Sequence, residues 1–301
     1  MSAVVKLDRQ QGLGASDAAA SVGLSKWRTP VDLYLEKTGQ VEPDYDAEAL
    51  HLAMGKALEP VVLQHFCRKS GLKVRSQQKR VVDPAWPVRW VTLDAIASDM
   101  GMVEAKTVGV ADTTQWGDPL TNDAVPMQYY LQCQHGMACT GLAHTWLPVL
   151  ILNRQFRLYR VVRDEELIEQ LTVKEKEFWQ CVESLTPPDI VTLDDASALW
   201  PRDNGKSVLA TPEIIEAVSL LKASKVALKL AATEIDALTL RVKMHMAEHT
   251  VLVDAADKPL ATWKQAKGSL VFDEDAFAVS HPKLYKKFHT ERPGSRRLLL
   301  K

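Results

Sequence analysis

The stretch VTLDAIASDMGMVEAKTV, residues 91–108, reads as two β-strands joined by a tight turn. Residues 88–97 and 102–108 are rich in Val, Thr, Trp and Ile, and Asp99-Met100-Gly101 between them are turn residues. Side chains alternate along a strand, so Glu104 and Lys106 share a face. A loop with an odd number of residues centred on Asp99 sets Asp94 directly opposite Glu104 on that same face, with Gly101 available for a bulge. One sheet face then holds two carboxylates and an amine. Mg²⁺ takes oxygen ligands from one or two carboxylates and completes its shell with water and substrate phosphate, so two acids on a rigid sheet suit it. A nearby lysine can orient or deprotonate an attacking water and offset charge on the phosphate. By itself the spacing is a weak signal, because surface hairpins commonly carry cross-strand acid–base pairs. Two facts favour the site: Glu104-Ala105-Lys106 is the only acid-x-Lys in the chain, and the strand around it is otherwise apolar.

Upstream, residues 14–38 read as helical from Ser16 or Asp17 as N-cap, broken by Gly23 and Pro30. A second helical pattern runs from about Ala47 to Lys69, is kinked or split at Pro60, and is closed by Gly71. Residues 72–82 form a further strand. Downstream, a Gly, Asp and Thr-rich loop over 109–125 precedes a helix at 126–140, with Pro126 in its first turn and Gly141 after it. Strands at 144–152 and 155–162 and a charged amphipathic helix at 164–183 follow. A Pro/Asp-rich linker over 187–204 marks a boundary, which divides the chain into a core, 1–188, and a C-terminal region, 189–301. The latter holds a long helix, 212–249, with a broad apolar face suited to packing on a partner or another domain, then a hairpin around Asp257, a short helix and a basic end.

The composition, 46% hydrophobic and 25% charged over 301 residues, excludes fibrous and wholly disordered chains. No apolar run approaches the roughly 20 residues that span a bilayer. The N-terminus turns charged at Lys6, Asp8 and Arg9 before an apolar signal segment can form, so the chain is expected in the cytoplasm. Net charge is −1, but residues 1–200 carry −6 and 201–301 carry +5. Residues 68–89 hold seven bases against one acid, and 281–301 hold seven against Glu291, which suits either solvated faces or a polyanionic partner. Cys67, Cys133, Cys139 and Cys181 have no metal-ligand spacing and read as buried thiols. Gly205-Lys206-Ser207 lacks the first glycine of a P-loop, where Trp200 stands, and the eight histidines form no HExxH; His135 and His144 read as core or surface residues.

Four blocks, GLGASDAAASVGLSKWRTPVDLYLEKTG, GKALEP, LDAIASDMGMVEAKT and VPMQYYLQCQHGMACTG, resemble in order those of the YqaJ-like viral recombinase family, the phage lambda-type alkaline exonucleases of the PD-(D/E)XK nuclease superfamily. The resemblance covers about residues 8–165 and implies an α/β (α+β) restriction-endonuclease-like core, a mixed central sheet flanked by helices, here with a helical C-terminal extension. Leu93-Asp94 stands where the superfamily has Pro-Asp. By resemblance Asp94 and Glu104 are metal-binding acids, Lys106 is the catalytic lysine, the Ala105 carbonyl is a further ligand, and Glu59 completes the metal site. Read alone, Glu59 is an exposed helix residue before Pro60. Arg9 and Ser16 match a 5′-phosphate pocket, although Ser16 alone suits a plain N-cap and Arg9 a solvated cation. Gln132 matches a glutamine beside the metal, with buried amide capping as the equal alternative.

The function so implied is Mg²⁺-dependent, or Mn²⁺-dependent, 5′-to-3′ digestion of double-stranded DNA ends to leave 3′ overhangs. The resemblance also implies a ring-shaped homotrimer, a single-strand annealing protein as partner, no membrane, and a phage or prophage origin in a bacterial host. A structure-selective endonuclease of the same fold and a non-catalytic DNA-binding module are the rival readings.

Overall fold

The structure, a computed structural model, describes residues 9–41, 50–109, 115–119, 124–151, 154–290 and 294–301. A 3-10 turn at Arg9–Gln11 leads into β1 (Leu13–Gly14), a second 3-10 turn (Ala15–Asp17), α1 (Ala18–Ser21), α2 (Pro30–Lys37) and α3 (Leu50–Ser70). Six short strands follow: β2 (Val74–Arg75), β3 (Lys79–Val82), β4 (Arg89–Leu93), β5 (Ala95–Ala97), β6 (Met102–Val103) and β7 (Lys106–Val108). Then come α4 (Met127–Thr140), β8 (His144–Ile151), β9 (Gln155–Val162), α5 (Glu165–Glu183) and α6 (Leu193–Leu199). The chain divides into two compact units, Met1–Trp200 and Pro201–Lys301.

The first unit has the expected α/β architecture, a mixed sheet flanked by helices. β3, β4 and β1 form a small sheet, and β2, β5, β6, β8, β7 and β9 a larger one. The three strands expected over 72–82, 88–97 and 102–108 are each broken in two. Period-2 patterning carries through Asp94 and through Glu104-Ala105, but the ladder does not. β6 and β7 run along β8 at one constant offset, Met102 facing Thr145 and Lys106 facing Val149, so 102–108 is a single extended path with a gap in its pairing.

α3 and α4 clamp this path from opposite faces, because adjacent strand residues point to opposite sides. Leu63 and Phe66 of α3 pack with Ala95, Ala97 and Val103, while Met102 faces α4. Gly136 lets α4 come close: a Cβ there would lie 2.6 Å from Met102 Cε. Pro60 neither splits nor ends α3. It is exposed, so water can satisfy the Lys56 carbonyl that loses its helical donor. Gly71 ends α3 at φ +72° and Gly141 ends α4 at φ +71°, as left-handed C-caps.

Three local expectations are corrected and one is met in part. Asp17 does take the N-cap position of α1, but its side chain makes no capping hydrogen bond there. The Asp17 carboxylate is buried and instead accepts Lys37 Nζ and Arg28 Nη2, each at 2.7 Å, together with the Gly14 N–H. In the 98–101 turn the left-handed residue is Met100, at φ 67°, rather than Gly101. Gly101 is required for a different reason, since a Cβ there would lie 2.4 Å from His144 Nε2. The linker over 187–204 contains α6, whose buried Asp195 accepts the Thr29 hydroxyl at 2.6 Å. Residues 189–200, placed by sequence in the C-terminal region, therefore pack with the first unit.

The second unit contains α7 (Pro212–Met246), a hairpin of β10 (Val251–Val253) and β11 (Pro259–Thr262) turning at Asp257, and the short helices α8 (Glu274–Ser280) and α9 (Pro282–Phe288). Ile235, Leu238, Val242 and Met246 of α7 meet Ala261 and Trp263 along one groove. Among the described residues no helix is long and apolar enough to cross a membrane.

Candidate active site

Two of the strand breaks meet at one point. Ala95 pairs with Val103 and Ile96 with Met102, a register that sets Asp94 across from Glu104. Glu104 N–H still bonds the Trp146 carbonyl of β8 at 2.9 Å. On the other edge the Ala105 N–H has no strand carbonyl to meet, and Asp94 Oδ2 accepts it at 2.8 Å. A side-chain oxygen thus replaces a ladder acceptor, which satisfies a backbone donor and fixes the carboxylate in place.

Glu104 is held from both sides. Its Oε1 accepts Lys106 Nζ at 2.6 Å and Gln132 Nε2 at 2.6 Å. Gln132 reaches it because α4 sits tightly on β6, one turn before Gly136. Lys106 Nζ also lies 5.3 Å from the centre of the Tyr129 ring, within range of a cation–π contact.

From α3, Glu59 faces the same place. Glu59, Leu63 and Phe66 stand at i, i+4 and i+7, so the acid extends the core-facing stripe of the helix. A cavity of about 390 Å³ is lined by Glu59, Asp94, Glu104, Ala105 and Lys106, with Lys56 at its rim. Gln78 Nε2 donates to Glu59 Oε1 at 2.8 Å.

Burial, reinforced by the Glu104 charge, pushes the Asp94 carboxyl up to about 8, against the opposing pull of Lys106 and of the Ala105 N–H. Burial opposes the Lys106 ammonium, yet the adjoining Glu104 carboxylate holds its pKa above the usual lysine range. Lys106 is therefore a cation here, and one amine faces more acid than it neutralises.

Among the described residues no three His, Cys, Asp or Glu side chains gather closely enough to cage an ion. The donors present nonetheless fit a hard divalent cation, which needs only one or two carboxylates when phosphate and water supply the rest. Such an ion would ease both causes of the raised Asp94 pKa, the burial that disfavours its charge and the neighbouring Glu104 carboxylate.

The sequence-derived candidates thus divide. Asp94, Glu104, Ala105, Lys106 and Glu59 line one cavity, and Gln132 stands behind it on Glu104. Ser16 is exposed in the 3-10 turn Ala15–Asp17 and does not line that cavity. The Arg9 side chain lies outside the described residues. Sequence reasoning passed over Lys56 and Gln78. Lys56, three residues before Glu59 on one helix, was detectable by spacing; Gln78 had no such signal.

Residues 6–143 match the YqaJ-like viral recombinase domain. The matched segment contains every residue that lines the cavity. Over 176 residues the chain is 32% identical to the uncharacterized protein YqaJ of Bacillus subtilis (strain 168), which covers 58% of this chain and 54% of the relative. The chain spans about half the length of that curated relative. Among solved structures, the alkaline exonuclease LHK-Exo from Laribacter hongkongensis superposes with a TM-score of 0.49 at 18% identity, covering 59% of this chain and 91% of that one. A phage-related exonuclease from Haemophilus somnus 129PT gives 0.46 at 13% identity, over 58% and 94%.

Proposed function

We propose that this chain is a divalent-metal-dependent 5′-to-3′ exonuclease that resects double-stranded DNA ends to 3′ single-stranded overhangs. The observation that carries the reading is the cavity where Asp94, Glu104, Lys106 and Glu59 meet inside a YqaJ-like domain. Asp94, Glu104 and the Ala105 carbonyl would hold Mg²⁺ or Mn²⁺, with Glu59 completing the set. Such an ion supplies Lewis-acid stabilisation of charge on the phosphate.

The remaining work falls to the protein. Asp94 and Glu104 are locked by the Ala105 N–H and the Gln132 amide, so they present fixed oxygens without reorganising during the reaction. The Lys106 ammonium donates to a phosphate oxygen and offsets charge that grows as water attacks in line and the bond to the departing 3′-oxygen breaks, the water losing its proton to solvent and the departing oxygen gaining one from it. In its cationic state Lys106 is an electrostatic group and orients water, but cannot take a proton. Arg9 and Ser16 bind the terminal 5′-phosphate. A ring-shaped homotrimer and a single-strand annealing partner, both implied by the family resemblance, complete the proposal.

The deciding experiment is digestion of linear duplexes ending in 5′-phosphate or 5′-hydroxyl, beside a covalently closed circle. Rapid loss of the phosphorylated linear duplex, with the circle intact, is expected. Cleavage of the circle would transfer the assignment to a structure-selective endonuclease, and indifference to the terminal phosphate would remove the Arg9 and Ser16 pocket.

A further inference from the structure

The chain changes sheets beside the cavity, and it does so with one residue to spare. Val74 and Arg75 pair with Ala97 and Ile96 in the larger sheet, whereas Lys79 and Arg80 pair with Leu93 and Thr92 in the smaller. Between these registers Ser76, Gln77 and Gln78 stand opposite only Asp94 and Ala95. Three residues facing two is the count of a β-bulge, which breaks the local ladder and re-aims a side chain.

The bulge adopts an unfavourable backbone. Ser76 and Gln78 both have φ 54°, in the left-handed region that crowds Cβ against the following carbonyl, and neither is glycine or asparagine. Turned out of the ladder, Gln78 reaches α3 and donates to Glu59 Oε1 at 2.8 Å. Glu59 shares the cavity with Asp94, the residue that the bulge faces.

We propose that Gln78 is a positioning residue for the cation site: the bulge aims its amide at one oxygen of Glu59 and leaves the other oxygen for a divalent ion. This rests on the reading of the cavity as a metal site. An amide is suited to the task because it donates a hydrogen bond without adding a charge that competes with the ion. Partners that orient a ligand from behind are typically worth 10–100-fold in metal affinity, and the exposure of this bond places it near the lower figure.

The test is Mn²⁺ binding to the full-length, metal-free protein, measured by titration calorimetry and by the paramagnetic resonance of free Mn²⁺. Gln78→Ala is expected to weaken binding about tenfold. In a Glu59→Gln background the same change is expected to add nothing, since the group it positions is already lost. Gln77→Ala, on the same bulge, is expected to bind as the parent does. Thermal melts of each variant check that the substitutions leave the fold intact. Unchanged affinity in Gln78→Ala, or an effect that persists in full on top of Glu59→Gln, overturns the positioning role. If Asp94→Asn also leaves Mn²⁺ binding unchanged, the metal-site reading itself fails, so the two failures are separable.

Discussion

Asp94 Oδ2 accepts the backbone N–H of Ala105 at 2.8 Å, and this one bond joins the two strand breaks that create the cavity. β4 and β5 are interrupted at Asp94, and β6 and β7 at Glu104-Ala105. Each break exposes a polar group that an unbroken ladder would have used internally. The acids are therefore held by the scaffold rather than by a flexible loop, and they can face phosphate without moving.

Lys106 is expected to act on turnover alone. Lys106→Ala should lower the cleavage rate by about 10²–10³-fold, the usual cost of removing one donor that offsets developing charge. Duplex affinity should stay within a few-fold, because one partly shielded amine contributes little to phosphate attraction overall. Single-turnover digestion alongside a filter-binding titration separates the two. Equal losses in rate and affinity would make Lys106 a binding residue only.

Gln132 anchors Glu104 from α4 through a 2.6 Å hydrogen bond. Gln132→Ala should reduce cleavage by about tenfold or more through a misplaced carboxylate. Gln132→Glu should be worse, since a second acid against Glu104 repels it and loses the donor. Rates at saturating Mg²⁺ rank the three proteins, and the reverse order of the two variants counts against orientation as the role of the amide.

Chelation should stop digestion, and adding back Mg²⁺ should restore it. Ca²⁺ is expected to support duplex binding with little cleavage, because its looser and more variable coordination does not hold reacting oxygens in register. Gel-shift and digestion assays run in parallel with each ion provide the comparison. Full activity in excess chelator contradicts the proposal directly.

Away from the cavity, His135 Nδ1 meets Glu175 Oε1 at 2.6 Å in a fully buried pair that Arg89 Nη1 joins at 3.3 Å. Burial alone would lower the His135 pKa, but the Glu175 charge outweighs it and raises the value from 6.5 to about 10. A folded-state pKa above the unfolded one adds stability that is complete below about pH 6.5 and is lost as pH climbs through about 10. The melting temperature should therefore fall across that window, and His135→Gln should show a shallower fall from a lower start. Glu175→Ala, which leaves the buried His135 without its carboxylate while Asp83 still holds Arg89, should cost about 3–5 kcal/mol. Thermal melts at successive pH values test both, and parallel curves for the parent and His135→Gln would discard the ion pair.

Alternation and turn length were enough to set Asp94 across from Glu104 with Lys106 on the same face, because strand side chains repeat every two residues and an odd loop fixes the register. The helix ends at Gly71 and Gly141 were equally local, each depending on one residue that tolerates positive φ. Glu59 was half legible: its spacing to Leu63 and Phe66 marks the buried face of α3, although its charge suggested the opposite.

What only the tertiary structure decided are the features that depend on residues far apart in the chain. The ladder breaks at Asp94 and Ala105 depend on which acceptor each backbone N–H meets across the sheet, which hydrophobic periodicity does not encode. The bulge that turns Gln78 toward Glu59 exists because two sheets of different register share one chain. Asp195 is buried through a partner 166 residues away, Thr29, so a stretch that reads as linker becomes a packed helix. Local patterning sets which groups can face the cavity, and long-range packing, by choosing where backbone hydrogen bonds are given up, sets which of them meet.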